Sequence, residues 1–355
     1  MYIRILLIVG FIRSSTDPSI SIPLATMNRL FPKTCIRALS LFAALALLPL
    51  QASQAQEVTI SAEAAALIAS GDVAAAKKIL IEAGVNVNDP LNVNAITAAI
   101  LQSIISESST TQLESTVKTA VASLTEAVIE LSTDQGLNEE QTVVAVEATA
   151  QGAVTAVITA PEISQSALTG VIAASSNGAT SGAMQGASNA GSDVTAAAEA
   201  ATQGSVAAVA VMVEQDRELT VVAQAVQAAA SGSSQAAIAT SAELNIDPGT
   251  VVVAVATSAE EGADSIPGDI GVATVINEAV ETGVQQGTLS GANEAGITGE
   301  AAEDLASVAS EAAEEAASDD YSGGDDTDTP DPVTTDDAAD DTEVPSGSTE
   351  ETPPV

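Results

Sequence analysis

Asp319, Asp320, Asp325, Asp326, Asp328 and Asp331 stand close together near the carboxyl end, with Gly323-Gly324 among them. Carboxylate oxygens on a flexible backbone are ligands that Ca²⁺ accepts. The EF-hand spacing is missing, so the chemistry these residues suggest is weak, diffuse Ca²⁺ contact, set against a plain solvated, solubilising tail. No other cofactor is suggested. Thiol or imidazole chemistry would need groups absent after residue 55: the chain has no His, and its one cysteine is Cys35. Disulfides, Cys/His zinc sites and His- or Cys-based nucleophilic catalysis are thereby excluded from the later chain. No phosphate-binding glycine loop of the form G-x-x-x-x-G-K-[ST] occurs. Carboxylate pairs are too numerous for any one to stand out. The inventory points away from an enzyme.

The elements around those aspartates begin with a targeting signal. Residues 1–26 read as an over-called upstream extension, and Met27 as the natural start. Residues 27–55 have the layout of a secretory signal peptide: Arg29, Lys33 and Arg37, an apolar run from Ala38 to Leu50, and small residues at Ser53 and Ala55. The expected location is therefore outside the cytoplasm, periplasmic or extracellular and secreted. No stable membrane span is expected in the mature chain. Beyond residue 55 the bases are Lys77, Lys78, Lys118 and Arg217. Of the 48 Asp and Glu only Asp17 is removed, leaving 47 against four bases, a net charge of −43. Such a chain repels nucleic acid and anionic membranes, and its field favours cations or cationic surfaces. The expected pairing of Lys77, Lys78 and Lys118 is local, with Glu82 and Glu114.

Residues 56–137 form an amphipathic helical region. Ser61 is placed to cap a helix over Ala62–Ala69 that Gly71 ends, and Asp72 to cap a second that Gly84 ends. The stretch LIASGDVAAAKKILIEAGVNVNDP (67–90) resembles one helix pair of an ankyrin or tetratricopeptide array in its "GD", the following helix and its "GVNVN" exit. That resemblance implies a helix–turn–helix. Val93, Ile96, Ile100 and Ile104, and then Leu113, Val117, Ala120, Leu124, Val128 and Leu131, keep helical spacing.

Residues 138–297 form a Gly/Ala-rich, low-complexity repeat region. Its units open near Thr142, Ala167, Val194, Thr220, Thr250 and Val272, about 22–30 residues apart. Val143–Val146 and Val251–Val255 would also suit strands, but Ala is the best helix former and a poor strand former. Gly152, Gly178, Gly204, Gly232, Gly262 and Gly283 recur mid-unit, each costing about 1 kcal/mol against Ala inside a helix. Either they break helices, or they form Gly/Ala stripes through which helices approach closely. The second reading is favoured, and it suggests self-association. An acidic helix is expected over 298–317, with Thr298 as its cap and Leu305, Val308 and Ala312 on one face. From 318 to 355 the composition predicts a disordered acidic tail.

The resulting expectation is an all-α, Ala-rich short-helix repeat array or bundle with a disordered acidic C-terminal tail. Its expected role is that of an exported, non-enzymatic structural or interaction protein. The alternative is a cation-buffering or mineral-binding protein acting through the tail.

Overall fold

The computed structural model describes residues 60–322, and within them the fold is all-α. Twelve helices follow in order: α1 (Ala62–Ala69), α2 (Val73–Glu82), α3 (Pro90–Glu107), α4 (Leu113–Asp134), α5 (Glu139–Thr159), α6 (Gln165–Ala190), α7 (Val194–Ala207), α8 (Ala210–Glu214), α9 (Leu219–Leu244), α10 (Pro248–Asp264), α11 (Ile270–Glu294) and α12 (Glu300–Ser322). Residues expected to form the secretory signal, and the tail beyond Ser322, lie outside the described residues.

The boundaries follow from cap chemistry. Ser61, Asp72, Asp89, Asn138, Asp193, Asp247 and Asp269 each accept a backbone N–H of the first turn of the helix that follows. Pro90 and Pro248 sit at the first helical position, where no N–H is required. The opposite ends share one device. After α1, α2, α4, α6, α8, α9 and α11 a left-handed residue turns the chain, so that the next N–H reaches back across the last turn, as Ile297 N–H does to Ala292 at 2.7 Å. Glycine fills five of these seven positions; Asp216 (φ 55°) and Asn245 (φ 56°) fill the others. Leu137, Ile246 and Ile297 follow such turns and lean on the core, and an Asx cap or a glycine then starts the next helix. The final helix departs from expectation here. It starts at Glu300, with the Gly299 carbonyl (φ 68°) accepting from Ala302 and Glu303, and Thr298 stands one residue too early.

The helices stack in two rows. One row runs α2, α4, α6, α9, α11, and the other α3, α5, α7, α10, α12, with α1 closing the amino end. The short α8 continues α7 after a break at Ala208–Val209 and touches α5 and α9. Successive helices therefore form antiparallel hairpins, while each row helix except α12 packs most heavily on a row neighbour, one hairpin away; α12 packs most on α11. Side-chain bonds show the register: Asn94 to Gln151 and Gln102 to Thr159, each 57 positions on, and Gln227 to Gln286 and Gln235 to Glu294, each 59 positions on. This corrects the shorter repeat. Each opening at 142, 167, 194, 220, 250 and 272 lies in its own helix, and the structural unit is a pair of helices, about twice the spacing read from the sequence. One apolar core continues from Ile60 to Ala313 through the change of composition near residue 138.

The mid-helix glycines do not break the helices. Gly178, Gly182 and Gly186 of α6 sit over the backbone of Lys118, Ala122 and Glu126 of α4. Gly283, Gly287 and Gly291 of α11 sit likewise over Gln227, Ser231 and Gln235 of α9. Gly152, Gly204, Gly232 and Gly262 make the same contact singly, on Asn94, Glu147, Ala173 and Gln203. In most of these a methyl group added to the glycine would come within 3.0 Å of the facing carbonyl oxygen (2.6 Å at Gly291, 2.7 Å at Gly262). The glycine Cα–H thus points at a carbonyl of the neighbouring helix, a weak but repeatable Cα–H···O contact. Both numbers of each pair rise together, so helices within a row run parallel.

At the carboxyl end α12 packs on α10 and α11. Its buried stripe is Ala302, Ala306, Ala309 and Ala313, whereas Val308 is 42% exposed and Leu305 and Ala312 are half-buried. The expected Leu305–Val308–Ala312 face is therefore rotated. The contact with α10 and α11 is thus made largely by methyl groups. The helix also continues past Ser318, the expected start of the tail, to Ser322.

Candidate functional site

Of the aspartates that suggested a calcium site, Asp319 and Asp320 fall in the last turns of α12; Asp325, Asp326, Asp328 and Asp331 lie outside the described residues. Among the described residues no three Asp or Glu come close enough to share a metal ion.

The structure groups other carboxylates instead. Row stacking brings α5, α7 and α10 side by side, and glycine contacts set the register: Gly204 rests on Glu147, and Gly262 on Gln203. Glu147 of α5, Glu199 of α7 and Glu261 of α10 consequently share one electrostatic neighbourhood. Partial burial, and then the charge of Glu261, push the Glu147 carboxyl above its ordinary range. Burial raises Glu199 first, with Asp193 and Glu261 adding to the effect. No base lies on these three helices. Asp247, the exposed cap of α10, moves the opposite way: the Thr250 hydroxyl (2.8 Å) and N–H (3.1 Å) both donate to it and lower its carboxyl. The row of α3, α5, α7, α10 and α12 thus carries an acidic strip across three of its helices, a surface able to hold cationic groups.

A second feature lies at the carboxyl end. Glu260 of α10 is 2% exposed, and its Oε2 has no hydrogen-bond partner. Burial, reinforced by Asp264 and Glu281, pushes its carboxyl up to about 8. Ser310 of α12 donates to Glu281 at 2.8 Å. Nearby, the α10–α11 turn and α12 enclose a cavity of about 300 Å³ lined by Ile266, Ile270, Ile276, Asp264, Asp269 and Ala317, among others. None of the raised glutamates lines it. Sequence reading missed Glu260. The available signal was its place one turn after Ala256 and three turns after Gly249, on a face otherwise made of small residues.

The basic residues are arranged partly as expected. Lys78 meets Glu82 at 3.8 Å. Lys77, however, reaches across to α4 and bridges Glu130 (3.0 Å) and Asp134 (2.9 Å), which raise its ammonium above the usual range. This is a tertiary contact rather than the local one expected. Glu114 lies against Gly170 of α6, and Lys118 offers its carbonyl to Gly178.

No family model, curated protein or solved structure matches this chain. The ankyrin- or tetratricopeptide-like stretch does form a helix pair, α1 and α2, and nothing further ties it to those families.

Proposed function

We propose that this is an exported, non-enzymatic structural or interaction protein: a rigid two-row helical ladder whose acidic outer surface engages cationic partners. The observation that supports this reading is the internal use of the glycines. Every glycine past the first turn of α5–α11 lies over a neighbouring helix of the same chain, so the Gly/Ala stripes hold the ladder together. Most carboxylates are left at the surface, with the partly exposed Glu147 and Glu199 and the exposed Glu261 forming a strip across successive units. Arrays of stacked helices characteristically present such extended surfaces to partners. Partners, including further copies of the chain, then meet charged faces rather than small-residue stripes.

The test is binding of poly-lysine to the full chain and to a chain ending at Ser322, at rising salt, alongside a calcium titration of both. Retention of poly-lysine binding by the shortened chain, weakening steeply with salt and reduced by joint Glu147→Gln, Glu199→Gln and Glu261→Gln changes, supports the ladder surface. Loss of all cation binding with residues 323–355 would transfer the role to the tail, as in the cation-buffering alternative. No binding by either chain would remove the reading.

A further inference from the structure

The junction of α10, α11 and α12 holds a carboxyl group with no means of carrying its charge. Glu260 is buried, and its Oε2 lacks a hydrogen-bond partner. Its side chain shares the face of α10 that carries Gly249, three turns earlier, and a methyl added at Gly249 would lie 3.9 Å from Leu305 of α12. That face of α10 therefore meets α12. The groups around Glu260 on each element are acidic or neutral. On its own helix Asp264 acts on it, while Glu261 is exposed and faces Glu147 and Glu199. From α11 comes Glu281, already accepting from Ser310 of α12. The α12 face is the alanine stripe, with Glu311, Glu314 and Glu315 exposed. The remaining neighbours, α7 and α9, carry Glu199, whose own neighbours are Asp193 and Glu261, and Glu243, which is exposed. After Arg217 the chain contains no Lys, Arg or His at all. An ionised Glu260 would be a buried charge without a counter-ion, which folded proteins avoid by neutralising or exposing the group.

The attachment of α12 is also made without backbone-to-backbone glycine contacts. It contains no glycine, and it meets α10 and α11 through its alanine stripe, the half-buried Leu305 and the Ser310–Glu281 bond. We propose that α12 is a proton-held latch: it lies on α10 and α11 while Glu260 keeps its proton, and ionisation of Glu260 releases it from the end of the ladder. The direction follows from where the proton is bound. Docked α12 favours protonated Glu260, whereas released α12 leaves that carboxyl in water, where it ionises in the ordinary carboxylate range. Docking is therefore tightest at acidic pH and is lost as pH rises through the docked group's range.

The test is hydrogen exchange read by mass spectrometry on the full chain at pH 6 and pH 9, as protection relative to the intrinsic rate at each pH. The expected result is a loss of at least about tenfold in α12 protection between the two, with α4 and α6 little changed, and retention of α12 protection at pH 9 in Glu260→Gln. Equal α12 protection at both pH values would overturn the proposal. So would a parallel loss in every helix, or a loss in folded Glu260→Gln equal to that of the natural chain. If Glu260→Gln does not fold, the ratio of α12 to α4 protection in the natural chain decides alone.

Discussion

Up to Asp134 the interior of this molecule is filled; beyond Asn138 it is narrowed. Of the twelve largest fully buried side chains, eight (Ile68, Leu80, Ile100, Leu101, Ile104, Ile105, Leu124 and Ile129) belong to α1–α4, and only four (Ile172, Met184, Met212 and Ile238) to everything after. The same early region holds every ion pair among the described residues, with Lys77 tying α2 to α4. In the later region the space between helices closes by removing side chains until Cα–H groups meet carbonyls. Both solutions place continuous helices in the same two rows, and one core passes through both. The comparison teaches that a ladder of this kind needs matched surfaces rather than large ones: bulk against bulk at one end, backbone against backbone at the other.

Substitutions that probe each region separately should break this comparison first where the side chains are large. Leu124→Ala, in the filled region, should lower stability by about 2–5 kcal/mol, because a buried leucine leaves a cavity. Urea unfolding measures it; a loss below about 1 kcal/mol would mean that the early core is not tightly filled.

A second contrast is in pH. Glu147, Glu199 and Glu260, all in the later region, bind protons more tightly when folded than when unfolded. Their stabilisation is complete below the unfolded carboxylate range and falls as pH rises, for Glu260 until about 8. Lys77 acts in the same direction only at far higher pH, and the exposed Asp247 cap opposes weakly. Unfolding followed from pH 5 to pH 8 should show stability declining by about 1 kcal/mol per unit where Glu260 dominates. A rise in stability with pH over that interval contradicts the assignment.

Smaller effects sharpen the same contrast. The later helices bury several hydroxyls without partners, including Ser176, Ser205, Ser233 and Ser234. Ser233→Ala removes an unpaired oxygen and should leave stability unchanged or raise it by about 1 kcal/mol, read from the thermal midpoint. The smallest change belongs to the early region. Lys77→Met gives up two partly exposed ion pairs, to Glu130 and Asp134, and should cost about 0–1 kcal/mol, shrinking further in high salt.

Much of the ladder's local structure was legible because it depends on adjacent residues. Asp72, Asp247-Pro248 and Gly71 carry their cap chemistry in their own side chains or backbone freedom, and Val93–Ile104 or Leu113–Leu131 carry their face in their spacing. The period was not legible, because pairing between alternate helices is a long-range fact: nothing near Gly182 says that its partner is Ala122. The turns at Asp216 and Asn245 escaped notice because the residue there is not glycine, and Asp216 also follows an unsignalled break at Ala208–Val209. The face of α12 was misplaced because hydrophobic size was weighed above the alanine spacing: Ala302, Ala306, Ala309 and Ala313 are buried, and Val308 is exposed. Glu260 went unnoticed because an acid inside SAEEGAD looks like solvated surface until the row neighbour covers it.

The sign of one substitution tests the central claim most directly. Ala is favoured over Gly in a helix by about 1 kcal/mol, so a glycine that merely interrupts a helix should be improved by Ala. Gly249 offers the control: a methyl there meets nothing closer than 3.6 Å. At Gly182 the methyl would press on the Ala122 backbone, with its Cα at 2.7 Å and its carbonyl carbon at 2.9 Å. Compared by urea unfolding at one pH, Gly249→Ala should be neutral or stabilising, while Gly182→Ala should lose about 1–3 kcal/mol through forced separation of α4 and α6. A gain in stability at Gly182 equal to that at Gly249 would contradict the backbone-to-backbone ladder.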